Sequence, residues 1–77
     1  MLRPFLEYIV NSVIDFPTHL VIDIANPAEQ QYAIIIKVHG SDMGKLIGRD
    51  GKTIKSLRNL AQMVADPGTI VSFEVQK

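Results

Sequence analysis

The chain has 77 residues, 47% of them apolar, which suits one small packed domain and argues against intrinsic disorder. It contains no cysteine, which excludes disulfides, thiolate metal sites and thiol catalysis and agrees with a cytoplasmic setting. No apolar run approaches the roughly 18–20 residues of a membrane span, and the N-terminus lacks the basic start and long apolar core of a signal peptide.

In chain order, residues 2–15 predict a helix, because Leu2, Phe5, Leu6, Ile9, Val10, Val13 and Ile14 keep i, i+3, i+4 spacing. Pro4 suits its first turn, and Pro17 blocks its continuation. From His19 to Ala25 the period changes to two, with Leu20, Ile22 and Ile24 on one side. Asn26-Pro27-Ala28-Glu29-Gln30 is turn chemistry. A second strand follows from Gln31 to Val38, with Tyr32, Ile34, Ile36 and Val38 inward. So short a connection makes the two strands antiparallel.

His39-Gly40 is a break, and Ser41-Asp42 predicts the N-cap and first turn of a short helix ending at Ile47. A longer helix runs from Lys52 to Ala65, where Asp66-Pro67-Gly68 stops it. On that helix Leu57, Leu60, Ala61, Met63, Val64 and Ala65 span an arc of roughly 200°, about twice what one core-facing stripe requires. The surplus, centred on Met63, predicts an exposed apolar strip suited to self-association. The last strand, Thr69 to Val75, alternates Val71, Phe73 and Val75 against Ile70, Ser72 and Glu74. The order is α-β-β-α-α-β, with no repeat or linker, so residues 1–77 are expected to form a single domain.

The stretch between the two later helices, Lys45-Leu46-Ile47-Gly48-Arg49-Asp50-Gly51-Lys52-Thr53-Ile54-Lys55, carries the chemistry. Gly48 and Gly51 let one helix end and the next begin with almost no loop, because glycine accepts the positive φ such a junction needs. A helix start offers free amides and the positive end of its dipole, which together favour an anion. The formal charge of the chain is zero, yet it is unevenly spread. Between residues 37 and 58 stand Lys37, Lys45, Arg49, Lys52, Lys55 and Arg58 against Asp42 and Asp50, six cations to two carboxylates, or +4. The rest of the chain carries two cations against six carboxylates, or −4. Cations gathered around a G-x-x-G loop point to the backbone of a nucleic acid.

Ile47-Gly48-Arg49-Asp50-Gly51-Lys52-Thr53-Ile54 resembles the I-G-x-x-G-x-x-I signature of the KH domain. The α-β-β-α-α-β order is that of its prokaryotic, type II form. Length and layout are similar to the short stand-alone bacterial KH RNA-binding proteins of the KhpA type. The resemblance implies an α+β fold, a three-stranded mixed sheet covered on one face by three helices, and binding of single-stranded RNA. It implies that Gly48 and Gly51 frame a backbone clamp with Arg49 and Asp50 at its tip. Ile47 and Ile54 would floor an apolar groove, and Lys45, Lys52 and Lys55 would neutralise phosphates. Whether Ile35 or Lys37 lines that groove depends on the strand geometry. Asp50 is expected to tune affinity downward without abolishing it, since Arg49 and Lys52 flank it. The resemblance further implies an RNA chaperone or post-transcriptional regulator that pairs with itself or with a larger Jag-type KH protein.

The other readings are weaker. Phe5, Tyr8, Phe16, Tyr32 and Phe73 fall at positions that read as core or lie far from the loop, so aromatic stacking has little support. His19 and His39 are separated by the hairpin, no serine forms a nucleophile elbow, and His39 with Asp42 falls short of a metal site. No catalytic residue, metal, cofactor, small-molecule substrate or membrane contact is therefore expected. The rival reading is a protein-interaction scaffold, which would have no use for the two glycines and their basic flanks.

Overall fold

The structure is a computed structural model describing residues 2–77. Helix α1 spans Leu2–Asn11, strands β1 and β2 span Val21–Ala28 and Gln31–Lys37, helices α2 and α3 span Met43–Ile47 and Lys52–Val64, and strand β3 spans Ile70–Gln76. The element order and the α+β class are those expected. The sheet order is β1-β2-β3, with β1 antiparallel and β3 parallel to the central β2. A parallel neighbour is what the α2–α3 crossover requires, since a hairpin cannot return the chain in that direction.

The helices cover one face of this mixed sheet, α1 over β1 and both α2 and α3 over β3. Leu6 and Val10 of α1, Ile22, Ile34, Ile36 and Val71 of the sheet, Leu46 of α2, and Leu57 and Ala61 of α3 form the core. These are the positions that the period-two and i, i+3, i+4 patterns place inward. Leu6, Ile34, Ile36 and Leu46 are essentially free of solvent, and burial of each contributes about 1.5–3 kcal/mol. Leu46 thus anchors α2 one residue before the Ile47-Gly48 junction. Among the described residues no helix is long and apolar enough to cross a membrane.

Several boundaries differ from the pattern-based ones. Helix α1 stops at Asn11, not at Asp15, because its final turn tightens. Val13 N–H donates to Val10 O at 3.0 Å and the Ser12 hydroxyl donates to Ile9 O at 2.6 Å. Strand β1 begins at Val21 because Pro17–His19 form a single 3₁₀ turn, closed by Leu20 N–H on Pro17 O at 3.1 Å. It extends to Ala28 through an irregularity between Ala25 and Ala28. Pro27 sits within that irregularity on an edge strand, where a missing N–H is tolerated. The reversal is confined to Glu29 and Gln30, with Gln30 at φ 61. On α3, Met63 is 80% exposed and Leu60 and Val64 also reach solvent, so α1 does not cover that flank.

A buried carboxylate links two of these segments. Asp42 is wholly buried at the end of the 3₁₀ turn Gly40–Asp42 that leads into α2. Its two oxygens accept the amides of Asp15 and Phe16, each at 3.0 Å. Burial alone would raise its pKa. The two amide donors outweigh that, helped by the positive charge of Lys45 nearby, and hold the carboxyl below the usual carboxylate range.

A folded-state pKa below the unfolded one adds stability at neutral pH that is lost as pH falls through the folded value. Urea unfolding between about pH 3 and pH 7 should show stability declining below about pH 4. Asp42→Asn should be less stable than wild type at pH 7 and show a flatter acid limb. An unchanged acid limb in Asp42→Asn would remove Asp42 from this role.

Candidate nucleic-acid interface

Helix α2 ends and α3 begins across Gly48-Arg49-Asp50-Gly51, where Arg49–Gly51 form a 3₁₀ turn. Gly48 N–H closes α2 on Gly44 O at 2.8 Å, and Gly51 N–H donates to Gly48 O at 3.2 Å. Gly48 lies at φ 76, ψ 173, a region essentially restricted to glycine. A Cβ built there would collide with Thr53 Oγ1 and stand 2.8 Å from Thr53 N. Thr53 therefore occupies the space where a side chain would begin. Gly51 lies at φ 73, ψ 17, the left-handed helical region, with only the distant Lys55 stem near its missing Cβ.

Asp50 also has positive φ, 56°, with ψ 26°. Aspartate is one of the few side-chain-bearing residues that visit this region readily. Its presence thus has a conformational reason that sequence inspection does not supply.

No side chain caps the start of α3. Arg49, Lys52 and Lys55 are all exposed, and none forms an ion pair among the described residues. Lys45 differs. It pairs with the exposed carboxylate of Asp15 and stands 4.0 Å from Asp42 Oδ1. The hydrogen bond to Asp15 holds its pKa above the usual lysine value. Lys45 is thus tied to the α1–β1 connection, whereas the three cations beyond it are free.

Ile47 is 36% exposed and Ile54 is half-buried, so the two isoleucines flanking the glycines leave apolar surface beside the loop. The strand on which α2 and α3 pack is β3. Ile35 and Lys37 belong to β2 and alternate with the buried Ile34 and Ile36. They face the side of the sheet without helices, and neither lines a groove next to the loop.

Two features escaped the sequence patterns. The residue capping the turn before α2 is His39, whose Nδ1 accepts the Ser41 amide at 3.2 Å, in place of Ser41 or Asp42. Thr53 is the seat of Gly48. Of the five aromatics read as core or far from the loop, Phe5, Tyr32 and Phe73 pack against the core, while Tyr8 on α1 and Phe16, 42% exposed, are the ones outside it.

The family described as KhpA/KhpB, KH domain, matches residues 3–75. The RNA-binding protein KhpA of Leifsonia xyli subsp. xyli is 33% identical over 66 residues, covering 86% of this chain and 86% of that protein. Its namesake in Streptomyces coelicolor is 31% identical over 73 residues, covering 95% and 91% respectively. That of Chlamydia pneumoniae is 33% identical over 79 residues, covering 99% and 97%. No solved structure matches the chain.

The two glycines should respond differently to a methyl group. Gly48→Ala combines a glycine-only backbone with a clash against Thr53 and should cost about 3 kcal/mol or more. Gly51→Ala meets open space and should cost about 1–2 kcal/mol, from the left-handed backbone alone. Denaturant unfolding of both variants checks the order, and equal losses would contradict it.

Proposed function

Because the chain belongs to the KhpA/KhpB KH-domain family, which is not an enzyme family, we propose that it binds single-stranded RNA by clamping the backbone at Gly48-Arg49-Asp50-Gly51. The observation that carries this reading is the combination of an uncapped helix start with three exposed, unpaired cations around it. Phosphate approaches where Gly51 presents no side chain to open space and meets the positive end of α3. Arg49, Lys52 and Lys55 supply the charge. Lys45 adds to the local potential from its place beside Asp15. Ile47 and Ile54 offer apolar surface to the bases next to the clamp. One loop of this kind holds about four nucleotides, so affinity is modest and sequence preference weak.

Such binding suits an RNA chaperone or post-transcriptional regulator acting in the cytoplasm. Its partners follow from α3. The strip formed by Leu60, Met63 and Val64 is exposed on the isolated chain, and burying it against a second copy about a two-fold axis serves both subunits at once. The same strip is available to a larger Jag-type KH protein. A scaffold reading draws on this strip too, but it leaves the glycine geometry and the free cations without a use.

Arg49→Asp places a carboxylate at the loop tip, where the exposed side chain has no structural partner. It should leave the circular dichroism spectrum unchanged and weaken RNA binding by about tenfold or more. Contact with three or four phosphates predicts a slope of log K against log[salt] of about −2 to −3 for a single strand. Unchanged RNA affinity in folded Arg49→Asp would favour the scaffold. For self-association, light scattering across a concentration series should show a dimer that Met63→Glu converts to a folded monomer. A wild-type chain that stays monomeric at high concentration would contradict it.

A further inference from the structure

The end of α2 opposite the loop carries a feature that the clamp does not use. Phe16, from the α1–β1 connection, stacks on His39, from the β2–α2 connection, with ring centroids 4.4 Å apart and planes 29° from parallel. His19 closes the group edge-on, 5.1 Å from His39 and 6.3 Å from Phe16. Three rings from two remote segments thus meet at the surface, Phe16 and His19 exposed and His39 half-buried. We infer that this cluster is a second RNA contact, a stacking platform for a base flanking the nucleotides held by the loop; this rests on the RNA-binding reading above.

The rings are held in place before any ligand arrives. Asp42 fixes the Phe16 backbone through its amide at 3.0 Å. The Ser41 amide donates to His39 Nδ1 at 3.2 Å, and the Ser41 hydroxyl lies 2.7 Å from the same nitrogen. A ring fixed by backbone bonds loses little freedom on stacking, which is the condition under which aromatic surface contributes most to binding. Phe16 also lies outside the hydrophobic core, so its exposed surface is not explained by packing.

The surroundings suit a polyanion. Helix α2 is five residues long, about 7.5 Å at 1.5 Å per residue, so the cluster and the Gly48 junction lie at opposite ends of one short helix. An oligonucleotide clamped at one end passes within reach of the other. Of the charged groups nearby, Asp15 is paired with Lys45, and the Asp42 carboxylate is buried beneath two amides. The Lys77 stem lies 3.7 Å from where a Gly40 side chain would begin, next to His39. A phosphate following a stacked base has Lys77 beside it, while the exposed Glu7 lines the cavity on the Pro17 side of the rings. Base–aromatic stacking is sequence-tolerant and is worth about 1–3 kcal/mol per base, in keeping with a weakly selective binder.

The test compares an RNA octamer with the same octamer lacking the two outer bases at each end as abasic sites, so that phosphate contacts are matched. Wild type should bind the intact RNA about tenfold more tightly, or about 1.4 kcal/mol, than the abasic one. Phe16→Leu keeps the bulk without the ring. His39→Asn keeps an acceptor for the Ser41 amide without the ring. In each the ratio should collapse toward the value set by register alone, while affinity for the abasic octamer stays at the wild-type level. Circular dichroism checks both folds, and His39→Asn decides if Phe16→Leu is unfolded. A ratio unaltered in the folded variants overturns the platform and leaves the clamp standing, provided Arg49→Asp still weakens both RNAs. Equal weakening of both RNAs by the ring variants also overturns it, since that is the mark of a structural plug. Absence of wild-type binding to either RNA overturns the clamp, and the platform with it.

Discussion

At Gly48 the backbone takes a conformation that only glycine readily holds, and Thr53 fills the volume where a side chain would start. Everything at the candidate site depends on that contact. It brings the end of α2 against the first turn of α3, so that the two helices follow one another with only residues 48–51 between them, three of these at positive φ. No side chain caps the start of α3, and the exposed side of the turn is left to backbone and to Arg49, Lys52 and Lys55. Leu46, buried two residues before Gly48, fastens this arrangement to the core. The loop thus stands on a helix pair held to the core by buried side chains.

The other end of α2 is fastened by different means. Apolar burial holds Leu46, whereas Asp42 holds its end with two amide hydrogen bonds to a segment more than twenty residues earlier. A buried carboxylate is costly unless its oxygens are satisfied, and here both are. The same bonds bring Phe16 beside His39. A short helix that would be marginal alone is thus clamped by a hydrophobic anchor near its C-terminus and a polar one at its N-terminus. Its two ends carry two different surfaces, basic backbone at one and exposed rings at the other.

Much of this was legible in the sequence because it is local. The period-two strands, the α1 and α3 stripes and the Gly48–Gly51 pair all depend on neighbours within a turn or a strand, and the inward positions Ile34, Ile36, Leu57 and Val71 are buried as their spacing requires. The exposure of Met63 followed from an apolar arc too wide for one core stripe. What could not be read depends on distant partners. Asp42 looks like an ordinary residue of a helix's first turn until Asp15 and Phe16 arrive from the other side of the hairpin. No periodicity encodes those two amide bonds. The engagement of Lys45 with Asp15 is hidden for the same reason, as is the choice of β3 over β2 as the strand beside α2 and α3. Asp50 was legible as a charge but not as a backbone conformation.

The central claim is that nucleic acid meets this chain along α2 and the turn that follows it. Titrating isotope-labelled protein with a single-stranded RNA octamer and following backbone amide resonances by NMR tests it most directly. The account predicts that the largest shifts fall on Gly48 to Ile54, with a second group at Phe16 and His39 to Ser41. Shifts confined to the helix-free face of the sheet, at residues such as Ala33, Ile35 and Ser72, with the loop amides unmoved, would contradict it.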